Sequence, residues 1–127
     1  MPAKVVDASA ICALLFGEPE AASIAGQLEG AALAAPALLS FEVANVCLLK
    51  IGRHPRRRNA LLKAHGLLQA MDIDMPGIDY RAALLLAEKT RLTVYDASYL
   101  WLALALDAEL VTLDKRLATA HSTARRK

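Results

Sequence analysis

Nowhere in the 127 residues does an apolar stretch approach the ~20 residues that a membrane-spanning helix needs. The longest mostly apolar run, Ala97 to Leu106, stops far short, and a soluble protein is expected. Cysteine is nearly absent: Cys12 and Cys47 each stand alone inside a helix-like apolar stretch. That excludes a disulfide framework and suits buried, reduced thiols in a cytoplasmic protein. Zinc is disfavoured as well, because neither cysteine has a second ligand at useful spacing and His54, His65 and His121 form no pair. Six aromatic residues are too few for the long stacking platforms of general single-strand binders. The opening MPAKVVDA runs directly into a strand-like segment instead of a charged leader with a long apolar stretch, so export by that route is not expected.

Apolar residues are plentiful. At 56% of the chain they exclude disorder, and the length suits one compact domain over residues 1–127. The net charge of +2 hides an uneven distribution. Lys50, Arg53, Arg56, Arg57 and Arg58 cluster in one segment, and Arg125, Arg126 and Lys127 close the chain. Those two places hold eight of the fifteen basic residues and no acid, so seven bases face thirteen acids elsewhere, a charge of −6. An acidic body with basic ends suits a metal site beside a polyanion; the ordinary alternative is a solvated arginine face and a frayed tail.

Short apolar runs alternate with helical patterns. Strands are expected at Lys4 to Val6, Ala31 to Ala35, more weakly Asp72 to Met75, and Glu109 to Thr112. Helical periodicity covers Ala8 to Phe16, a segment opened by Glu18 and Pro19, Pro36 to Ile51, Pro55 to about Met71, Asp79 to Lys89, Ala97 to Leu106 and a final turn or two from Lys115. In the Asp79 to Lys89 helix, Ala82, Leu85, Leu86 and Ala87 are expected to face inward. This alternation implies an α/β fold with a central parallel sheet of four or five strands between helical layers. Ligands of such sheets bind beyond the carboxyl ends of the strands.

Four acids then stand out: Asp7 in VVDAS, Glu42 in LLSFEVAN, Asp96 in VYDAS and Asp114 in LVTLDKRLA. Each aspartate precedes a helical segment, so helix capping is its ordinary explanation; Asp96, for instance, would cap Ala97 to Leu106. Glu42 resists that explanation because it lies within a helix among Leu39, Phe41, Val43 and Val46, where a lone buried carboxylate is costly. Were all four gathered, each unscreened pair at ~4 Å would cost about 4 kcal/mol at an effective dielectric near 20. A hard divalent cation, Mg²⁺ or Mn²⁺, relieves that repulsion and prefers all-oxygen ligands.

Taken in order, VVDASA, APALLSFEVANV and LTVYDASYLWLALALDAELVTLDKRLA resemble the PIN-domain nucleases, most closely the VapC-type toxins of prokaryotic toxin–antitoxin pairs. The resemblance spans nearly the whole chain and implies a three-layer PIN-like fold. It also implies a catalytic quartet of Asp7, Glu42, Asp96 and Asp114, in which Asp7 and Asp96 are direct magnesium ligands and the other two act directly or through water. Ser9 and Thr112 occupy positions of supporting hydroxyls, and Asn45 is placed to orient Glu42. The implied reaction is metal-dependent hydrolysis of an RNA phosphodiester by water, leaving a 5′-phosphate and a 3′-hydroxyl, with no covalent intermediate. Arg53, Arg56, Arg57 and Arg58 would hold the RNA backbone. A homodimer and a small antitoxin protein are implied partners, with the apolar helices before Gly30 and around Leu48 as candidate surfaces. HSTARRK departs from the family pattern by offering no clear final strand.

Two other readings compete. DIDMPGID, residues 72–79, resembles the aspartate and Met-Pro of receiver domains, which are also small Mg²⁺-binding α/β folds. A receiver, however, needs paired acids after its first strand and Lys-Pro after its last, and this chain has a lone Asp7 and Thr112-Leu113-Asp114. The other competitor is a catalytically silent PIN-like binding module, against which the complete quartet argues.

Overall fold

In the computed structural model, residues 2–126 are described. Three parallel strands, β1 (Ala3–Val6), β2 (Ala32–Ala34) and β3 (Glu109–Val111), lie in the order β2-β1-β3. Val5 pairs with Ala34 on one side and Leu110 on the other. Side chains of consecutive strand residues point to opposite faces, and both Val5 and Val6 are wholly buried, so β1 is covered above and below.

The covering helices are α1 (Ala8–Leu15), α2 (Ala21–Leu28), α3 (Leu38–Arg53), α4 (Arg58–Gly66), α5 (Tyr80–Thr90), α6 (Val94–Ala105) and α7 (Lys115–Arg125). Short 3₁₀ turns at Pro55–Arg57 and Leu67–Met71 flank α4 and break the expected single arginine-rich helix into three pieces. Helix α1 packs on α2 and α3, while α6 packs on β1, β3, α5 and α7. Tyr99, Leu100, Leu102 and Ala103 make α6 the central helix that its apolar sequence predicts. Gly17 and Gly30 follow α1 and α2 with φ of +66° and +75°, a left-handed turn that a side chain would strain.

Among the described residues the sheet has three strands, where four or five were expected. The Asp72 to Met75 segment does lie beside β2, but only as a single bridge: Asp74 N–H donates to Leu33 O and Ala35 N–H to Asp74 O, both at 2.9 Å. Asp72 adopts a left-handed backbone, φ 53°, and Pro76 has no N–H to donate, so the extended run cannot lengthen either way. No terminal strand forms among the described residues, because α7 continues through HSTAR to Arg125, three turns instead of one or two. Buried His121 anchors it, its Nε2 lying 3.1 Å from Ala108 O. Lys127 lies outside the described residues.

Other boundaries also shift. Thr93, not Asp96, caps α6, its hydroxyl accepting from Asp96 N–H; the helix starts earlier than expected and carries Asp96 in its first turn. In α5 the inward residues are Ala83 and Ala87 with Leu86 beside them, whereas Leu85 is exposed. Ile24 and Leu28 of α2 are buried in the core, while Ala22 and Ala25 on the same helix are exposed.

Candidate active site

Asp7 follows β1 and caps α1, and parallel pairing places it beside the segment leaving β3. Its backbone N–H reaches Val111 O at 3.3 Å. Being 6% exposed, its carboxylate is held by donors on both oxygens. Oδ1 accepts from Ser9 Oγ at 2.7 Å and Ala10 N–H at 3.1 Å, and Oδ2 accepts from the Thr112 hydroxyl. Those hydroxyls accept in turn: Leu113 N–H donates to Ser9 Oγ at 2.8 Å and Asp114 N–H to Thr112 Oγ1 at 2.9 Å. Ser9 and Thr112 therefore tie the end of β1 to the loop that carries Asp114. One lone pair of Asp7 Oδ2 remains for a further partner.

Asp114 caps α7, its Oδ1 accepting from the N–H groups of Arg116 and Leu117. Glu42 is half-buried on α3, and the hydroxyl of fully buried Tyr99 donates to its Oε1 at 2.5 Å. Asn45, expected to orient Glu42, is exposed, and Tyr99 does that work. Tyr99 was not singled out from the sequence. Its spacing of three residues from Asp96 on one helix was the available signal.

The acids feel one another. Burial pushes the carboxyl of Asp7 above its ordinary range, Asp114 adds to this, and the Thr112, Ser9 and Ala10 donors pull it back. Glu42 is raised by burial and then by Asp96 and Asp7, against the Tyr99 hydrogen bond. Asp96 is raised by burial, then by Asp114 and Asp7, with Thr93 and Arg116 opposing. Glu42 and Asp96 thus both feel Asp7, and Asp7 and Asp96 both feel Asp114. Burial also pushes the Cys12 thiol up to about 11, with Asp7 and Glu42 contributing, as expected of an inert buried thiol. Asp72 and Asp74 do not figure among the charges that these acids feel, so the receiver-like segment stands apart from them.

Protein cations offset the group only in part, Arg116 lowering the raised pKa of Asp96. Lys50 is engaged with Glu18 and sits over the Phe16 ring, 5.5 Å from its centroid. Arg116 reaches the backbone oxygen of Arg91. Among the described residues no three acidic, imidazole or thiol side chains close tightly enough to hold an ion by themselves. Mg²⁺ does not need such a cage, since it commonly takes one or two carboxylates and keeps several waters. An all-oxygen donor set with raised pKa values, offset only by Arg116 at Asp96, fits that ion.

Of the expected RNA-binding residues, Arg53, Arg56, Arg57 and Arg58 are all exposed. Arg53 lines a cavity of about 390 Å³ with Lys50, Ser9 and Leu113, which places it beside the hydroxyl network at Asp7. Arg56, Arg57 and Arg58 lie beyond it on the 3₁₀ turn and the start of α4.

A family model described as PIN domain matches residues 4–121. The ribonuclease VapC3 of Pyrobaculum aerophilum is 35% identical over 128 residues, an alignment covering 90% of this chain and 91% of that protein. The crystal structure of PAE2754 from the same organism superposes with a TM-score of 0.75, covering 97% of this chain and 92% of the other at 22% identity, a likeness of fold.

Proposed function

This chain belongs to the PIN-domain family, and from that membership we propose that it is a metal-dependent endoribonuclease, the toxin of a toxin–antitoxin pair, acting as one nuclease domain over residues 1–127. The observation that carries the reading is that Glu42 and Asp96 both feel the charge of Asp7, and Asp7 and Asp96 both feel that of Asp114, with Arg116 opposing at Asp96. Asp7 and Asp96 hold Mg²⁺ or Mn²⁺, and Glu42 and Asp114 complete the site directly or through water. When bound, such an ion supplies positive charge for the phosphate oxygens and makes a water more acidic.

The protein's own groups do the rest. Ser9 and Thr112 fix both oxygens of Asp7, so its remaining lone pair has one direction. Tyr99 fixes one oxygen of Glu42 and leaves the other to orient or accept a proton from the attacking water. Arg53 and the exposed Arg56, Arg57 and Arg58 hold the phosphate backbone, a salt-sensitive contribution that reads no sequence. Phe41 and Leu48 are 78% and 64% exposed on α3, an apolar surface suited to a second copy or an antitoxin. The cytoplasm is the corresponding compartment.

Cleavage of structured RNA should require added Mg²⁺ or Mn²⁺ and disappear on chelation. Asp7→Asn and Asp96→Asn should each be inactive while retaining the wild-type circular dichroism spectrum. Undiminished cleavage by both variants would refute the site.

A further inference from the structure

On the reading that this chain hydrolyses RNA, we infer that the apolar cavity at the amino end of α3 receives one unpaired nucleobase adjacent to the phosphate held at the acids. The cavity has a volume of about 360 Å³; Pro36, Leu38, Met75 and Ile78 line it together with Tyr80 and Tyr95. No charged side chain lines it, so its occupant is neutral and largely apolar. Both tyrosines are open to solvent, Tyr80 at 80% and Tyr95 at 64%, and each presents a ring on which a flat base can stack.

Its place relative to the acids selects a base over other apolar guests. Leu38, Glu42, Val46 and Lys50 recur every four residues along α3 and are all half-buried, forming one row; Arg53 follows within the next turn. Leu38 lines the apolar cavity, Glu42 belongs to the acid group, and Val46, Lys50 and Arg53 line a second cavity that Glu18 and Glu20 share. At 1.5 Å per residue, Leu38 lies ~6 Å from Glu42 along the axis and Arg53 ~16 Å beyond Glu42. One helix face therefore sets the apolar cavity directly beside the acid group, as a base lies beside the phosphate it adjoins. Tyr95 also directly precedes Asp96, so cavity wall and acid share the first turn of α6. A base paired within a duplex cannot enter a side cavity, which narrows the substrate to RNA with a loop or bulge at the cut.

The test uses the full chain with Mg²⁺ and a hairpin RNA whose cut site has been mapped. Versions are made in which the loop nucleotide beside the cut is intact or abasic. The wild type should show a KM about 10-fold higher on the abasic RNA. Tyr80→Ala with Tyr95→Ala should raise KM by a similar factor on intact RNA and add nothing on abasic RNA, whereas the Tyr→Phe pair should stay near wild type. Equal KM for the wild type on both RNAs overturns the inference without any variant having to fold. Equal losses by the alanine pair on both RNAs also overturn it, as does a loss seen only in binding a protein partner. A wild type that cleaves no RNA with either metal ends the ribonuclease reading and this inference with it, an outcome distinct from active cleavage that ignores the base.

Discussion

Tyr99 illustrates how a core side chain can govern a catalytic one. Its ring is buried in the centre of α6, yet its hydroxyl is the donor that lowers the raised pKa of Glu42. Tyr99→Phe keeps the packing and removes a hydrogen bond to a charged group, worth about 1.5–3 kcal/mol. The carboxyl of Glu42 should then rise further, and the acidic limb of the pH–rate profile should move to higher pH. A limb that stays in place would show that Glu42 does not need this donor. Asp96→Asn, inactive in the proposed cleavage, should show no single-turnover product above background. Its effect on stability carries a sign. Because the folded state raises this carboxyl above its ordinary 3.8, the folded protein binds the proton more tightly than the unfolded chain. That contribution is complete below the ordinary value and is lost as pH climbs through the raised one. The thermal midpoint of metal-free Asp96→Asn should therefore match wild type at low pH and exceed it increasingly across that window. A constant difference at all pH values would contradict the coupling.

Helix starts and helix faces place these side chains. Asp7, Asp79, Thr93 and Asp114 each cap a helix with a side-chain oxygen, and two of the four also belong to the acid group. The two explanations offered for Asp7 and Asp114, capping and chemistry, are thus not alternatives, because one carboxylate can do both with different lone pairs. Asp79 serves α5 alone, so Asp79→Ala should cost about 1 kcal/mol in denaturant unfolding with an unchanged m-value. A cost near zero would mean that α5 is held by packing only. Around the end of α3, replacing Arg56, Arg57 and Arg58 together should weaken RNA binding and lower the slope of log K against log salt by up to about three, one for each phosphate no longer neutralised. An unchanged slope would route the RNA elsewhere.

Taken together, the fold concentrates negative charge, offset by Arg116 at Asp96, beyond the ends of β1 and β3 and on α3 and α6. The protein should consequently be less stable without its ion than with it. At a free Mg²⁺ concentration 100 times its dissociation constant, the unfolding free energy should rise by about 2.7 kcal/mol. The gain should shrink as pH falls and protons occupy the same carboxylates. Monitoring the thermal midpoint against Mg²⁺ at two pH values checks both statements, and a flat response at both would point to a silent binding module.

The order of elements, the four candidate acids and the two hydroxyls that bond Asp7 were legible in the linear chain, because each leaves a local trace: a β-type run, a helical period, an acid at a boundary. The absence of long apolar runs was equally legible. Sheet width was not, since Ile73 to Met75 has strand composition and is limited by the left-handed turn at Asp72 and the missing donor at Pro76. The partner of Glu42 was not legible either. Tyr99 and Asn45 both lie at helical spacing from a site acid, and only packing, which buries one and exposes the other, makes the choice. Local sequence sets what each segment can form; which side chains meet across 57 or 105 positions, as Glu42 meets Tyr99 and Asp7 meets Thr112, depends on how the helices close over the sheet.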